Sequence, residues 1–195
     1  CLTGPTTPIP VMAGIWSKEA GMRLPQAILT GVMLFVPFLL WASSDEPAVA
    51  KAEELLRREG YAELPLVRVV DASELAYLSE TFRKEMELST AFRIVIQDRE
   101  NPAKDRLDPV IYIYRESGIY RLAEEGSEAG IALLAASIAH ELVHENADDG
   151  EAYAAEASLL RKWIYTPGMS MEDRQTLAKF ALVRREQSKK VRTHR

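Results

Sequence analysis

The sequence predicts an α+β domain behind an N-terminal export segment. Three observations carry this expectation. Residues 24–42 hold no charge, strand-like stretches crowd the first half of the remaining chain, and long helical patterns fill its second half.

The apolar run LPQAILTGVMLFVPFLLWA has Lys18 and Arg23 before it and Asp45 and Glu46 after it. Read from Met22-Arg23, it ends at the small residues Ala42-Ser43-Ser44, the pattern of a cleavable secretory signal peptide. The same stretch is long enough to cross a bilayer once, for which about 20 residues suffice. Pro25 and Pro37 count against a buried soluble helix more than against a membrane one. Under either reading the basic flank stays inside and the rest of the chain crosses. The expected location is therefore extracytoplasmic: secreted, periplasmic or membrane-anchored through residues 24–42. A lipidated Cys1 is the weaker alternative, because the apolar segment lies on the wrong side of it. The expected organisation is residues 1–44 as signal peptide or anchor, 45–187 as the folded domain, and 188–195 as a basic tail.

Helical periodicity with Gly60 as terminator marks AVAKAEELLRRE, 48–59, as an amphipathic helix. LPLVRVVD, 64–71, alternates like a strand. Asp71 or Ser73 can cap the following SELAYLSETFRKEM, and Asp71 with Glu74 has capping-box spacing. AFRIVIQ, 91–97, is β-branched, 98–109 is a polar loop, and VIYIYRE, 110–116, is the clearest strand. Ser117-Gly118 reads as a turn, which makes GIYRLAEEG a returning hairpin strand. Long helices are expected from Ser127 to Asn146, over 151–164, and over 171–187.

Composition narrows the chemistry. The chain has one cysteine and three histidines, so any metal must be held by histidine and carboxylate. Without residues 1–44 it carries 22 basic and 28 acidic residues, and this acidic balance gives no support to a nucleic-acid partner.

Two of the three histidines fall in one pentapeptide, His140-Glu141-Leu142-Val143-His144, inside the most apolar helix. Residues i and i+4 share a helix face, so both imidazoles can aim at one zinc ion. Glu141, beside the first ligand, can take a proton from a water that zinc has made acidic. The competing reading is a solvated polar stripe. The third ligand is expected to be Glu151, which opens the next helix after Asp148-Asp149-Gly150. Asp148 and Glu151 also have capping-box spacing, so Glu151 can instead serve as a cap. Glu156 is the reserve ligand. It lies about 140° around the helix from Glu151, so the two cannot face one metal. Tyr112, Tyr114 and Tyr165 are candidates to steady a tetrahedral intermediate, against an ordinary packing role for each.

HELVH followed by EAYAAEASLL resembles the small gluzincin metallopeptidases, of the ImmA/IrrE-like and HtpX/Ste24-like types, over about residues 108–162. The resemblance implies a zincin-like fold, His140, His144 and Glu151 as zinc ligands, and Glu141 as general base. It further implies that VIYIYRE is an edge strand packed on the HExxH helix, along which a peptide or protein substrate lies. The expected function is an exported or membrane-anchored zinc metallopeptidase. The rival is a non-catalytic exported domain that binds a partner protein and keeps a structural or decayed metal site.

Overall fold

The computed structural model describes residues 46–75, 80, 84, 89–96, 106–144 and 147–193. The expected export segment, His194, Glu145 and Asn146 lie outside them. Among the described residues the protein is α+β. Its elements are α1 (Pro47–Arg58), β1 (Val67–Val70), β2 (Ala91–Phe92), β3 (Val95–Ile96), β4 (Arg106–Leu107), β5 (Ile111–Tyr114), α2 (Gly118–Glu124), α3 (Glu128–Val143), α4 (Asp149–Trp163) and α5 (Met171–Thr193).

The sheet is small and mixed. Its strand order is β1-β5-β2, with β1 parallel and β2 antiparallel to β5, while β3 and β4 pair as a separate antiparallel ribbon. This corrects the expected position of VIYIYRE. β5 is the central strand, and β2 is the edge strand that packs on α3. The reason lies in its side chains. Ile111 and Ile113 enter the helical core on one face, while Tyr114 and Tyr112 join Val70, Leu75 and Phe92 on the other. A strand covered on both faces suits the middle of a sheet.

α3 is the axis of the described fold and packs against α1, α2, α4 and α5. Ala129, Gly130, Ala132 and every residue from Leu133 to Ala139 are buried. Such a helix, apolar all round, belongs in a core, and its alanines let neighbours come close. The closest approach is at Gly130, where an added Cβ would stand 2.4 Å from the Ala123 backbone nitrogen.

Local capping follows the sequence. Ser127 accepts from Gly130 N to start α3, and Gly60 follows α1 with φ +97°. Asp71 Oδ1 accepts from Glu74 N at 3.1 Å, while Glu74 Oε2 accepts from Asp71 N at 3.2 Å, a reciprocal capping box. Residues 118–126 depart from expectation. They form no hairpin strand, because Ser117 accepts from Tyr120 N and turns the chain into α2. Tyr120 is then fully buried, with its hydroxyl donating to Glu46 at 2.9 Å. α5 also runs on through Thr193, six residues into the expected basic tail, with Ser188 buried and bonded to the Gly150 carbonyl at 2.7 Å.

Candidate metal centre

The pentapeptide ends the buried helix. α3 is apolar until Ala139 and then presents half-buried His140, Glu141 and His144 at its C-terminal turn. The i, i+4 spacing brings the two imidazoles together, with Nε2 of His144 3.0 Å from Nε2 of His140 and the rings edge to face at 4.7 Å.

Each ring turns its other nitrogen toward a carboxylate from α4. His140 Nδ1 lies 3.2 Å from Glu156 Oε2, and His144 Nδ1 lies 3.6 Å from Asp149 Oδ1. Both are ion-pair distances. The first is off the line of a hydrogen bond, so the buried His140 Nδ1 has no strict hydrogen-bond partner. Each carboxylate stands within ion-pair distance of a far ring nitrogen, the place where a histidine metal site has its outer hydrogen-bond acceptor, without making that hydrogen bond here.

The two glutamates of α4 exchange the places expected of them. Asp148 caps the helix, its Oδ1 accepting from Glu151 N at 2.9 Å. α4 then buries the stripe Ala152, Tyr153, Glu156, Ala157, Leu160 and Trp163 against the core. Glu156 lies on that stripe and is only 2% exposed, whereas Glu151 is exposed on the outer side. Among the described residues, no group of three or more His, Cys, Asp or Glu side chains is arranged to hold a metal ion. The facing Nε2 atoms are donors of the kind a borderline divalent cation accepts, two in number where a catalytic zinc site uses three protein ligands.

Burial sets the charge states. It pushes the Glu141 carboxyl up to about 7, against the pull of the His140 and Arg93 charges. Burial, then the neighbouring His140, lowers His144 and favours the neutral imidazole that a metal requires. For Glu156, burial alone would raise the pKa. The Arg184 guanidinium, with Nε 2.8 Å away, and His140 outweigh it and hold Glu156 below the usual carboxylate range.

Other residues meet the site differently from expectation. Tyr165 is 79% exposed and borders a groove between α4 and α5, with Arg161 and Arg185. The Tyr112 hydroxyl is 3.2 Å from Asp108, and Tyr114 is buried in the small cluster behind the sheet. The tyrosine at the histidines is Tyr153, whose ring centroid lies 4.7 Å from that of His140. Arg93 follows β2, is nearly buried, donates to the Asp108 carbonyl at 2.8 Å and reaches the Glu141 carbonyl at 3.5 Å. Both were legible in principle: Tyr153 from the apolar stripe of α4, and Arg93 as a lone cation inside the apolar run AFRIVIQ.

Comparison with known proteins found no matching family model, no matching curated protein and no matching solved structure.

Proposed function

We propose that the chain is a metal-dependent hydrolase, an exported or membrane-anchored zinc metallopeptidase, with His140 and His144 as metal ligands and Glu141 as general base. The observation that supports it most is the pair of Nε2 atoms 3.0 Å apart, with a carboxylate at the far nitrogen of each ring. A divalent ion held by His140 and His144 would supply Lewis acidity toward a peptide carbonyl and toward water. Glu141 takes the proton of the attacking water and hands it to the leaving amine, a role for which a carboxyl near neutral pKa is suited. Among the described residues β2 is an edge strand beside α3, a place where an extended peptide can add to the sheet. Glu151, the third ligand expected from sequence, has no part in this reading, since it is exposed while Glu156 is buried beside His140.

Glu141 also separates this reading from a structural metal site, which has no use for an acid beside its ligands. The test is peptide hydrolysis by the zinc-loaded protein against Glu141→Gln. The expected result is unchanged zinc content and a loss of activity of at least ~100-fold. Equal hydrolysis by the variant would contradict the role of Glu141, and no hydrolysis by either protein would favour the binding-domain alternative.

A further inference from the structure

The residue behind the site is Arg184, in the middle of α5, an element that contributes nothing to the pentapeptide. Its Nε donates to Glu156 Oε1 at 2.8 Å, and its Nη1 donates to Gln187 Oε1 at 2.9 Å. The guanidinium carbon lies 5.5 Å above the Tyr153 ring, on which His140 packs at 4.7 Å. Glu156 is thus held at one oxygen by Arg184, while its other oxygen faces His140 Nδ1. Two contacts from one guanidinium, one through a carboxylate and one through an aromatic ring, converge on the same imidazole. A buried carboxylate without that cation would be costly. A carboxylate facing Nδ1 favours the ring form with its proton there and leaves Nε2 free to bind a metal.

We infer that Arg184 is a positioning residue for the metal centre: acting through Glu156 and Tyr153, it sets the orientation and tautomer of His140. The last helix thereby completes a site whose ligands lie on α3. The affinity part of this inference rests on the metallopeptidase reading above, whereas the tautomer part does not.

The experiment records the ¹⁵N shifts of the His140 ring in the metal-free full-length protein, then titrates the same samples with zinc. Wild type is expected to hold His140 with its proton on Nδ1. Arg184→Gln should shift the ring toward the Nε2–H form and weaken zinc binding about 10- to 100-fold, as loss of an outer partner does. Arg184→Lys, which keeps the charge, should restore the wild-type tautomer in part. If Arg184→Gln fails to fold with its buried glutamate unpaired, the double variant Glu156→Gln/Arg184→Gln replaces it, with the same expected shift. A wild-type tautomer in Arg184→Gln or in the double variant that replaces it, or a wild-type His140 carrying its proton on Nε2, overturns the inference. The expected tautomer shift in Arg184→Gln, beside a wild-type protein that binds no zinc, supports the positioning role and removes only the metal reading.

Discussion

Glu46 shows how one side chain can join distant parts of the chain. It precedes α1, yet its carboxylate accepts from Arg115, the residue after β5, and from the buried Tyr120 of α2. The hydrogen bond from Arg115 holds the Glu46 pKa below its ordinary 4.5, against a smaller opposing effect of burial. A carboxyl depressed in the folded state stabilises above its unfolded pKa, and that contribution disappears as pH falls through the folded value. Glu46→Gln keeps an acceptor for Tyr120 and removes only the charge. It should cost up to ~1 kcal/mol at pH 7, since the pair is partly solvated. The gap from wild type should begin to shrink below about pH 4.5 and close further in more acid solution. Denaturant midpoints of both proteins across that range check it, and a gap that does not change with pH would refute it. The same attention to partners explains the site. Sequence spacing made the His140–His144 pair legible, because i, i+4 neighbours meet on any helix. It did not reveal which glutamate joins them, because both Glu151 and Glu156 have local reasons to be where they are. Only the face that α4 buries decides between them.

At the scale of elements, α1, α3, α4 and α5 were legible because their signals are local: apolar stripes, Ser127 and Gly60. The place of β5 was not, since the order of strands depends on partners far along the chain. GIYRLAEEG was equally opaque, because Ser-Gly begins a turn and caps a helix with equal ease. The burial of Tyr120 favours the helix. The crossing of α2 and α3 yields a sharp prediction. Gly130→Ala gains ~1 kcal/mol of helix propensity, but its methyl would stand 2.4 Å from backbone in α2. Overpacking of ~1–3 kcal/mol or more should win, because backbone cannot step aside as a flexible side chain can. Gly118→Ala, with nothing within 4 Å of its added Cβ, is the control and should leave the melting temperature unchanged or raise it. Equal melting temperatures for Gly130→Ala and wild type would show that the two helices separate more easily than this packing implies.

For the whole molecule, the coarse class was legible in the order of the patterns, strands early and helices late. The zincin assignment and the export segment stay as proposals. No described helix is long and apolar enough to cross a membrane, and residues 24–42 lie outside the described part. A reporter active only after export, fused downstream of residue 60, should be active, and a stable but inactive fusion would contradict export. The proposed function requires a metal at the polar end of the buried helix. Elemental analysis of the purified wild-type protein beside the His140→Ala/His144→Ala double variant tests it most directly. The expected result is about one zinc per wild-type chain and essentially none in a folded double variant. Equal metal content in the two proteins, or none in either after zinc loading, would contradict it.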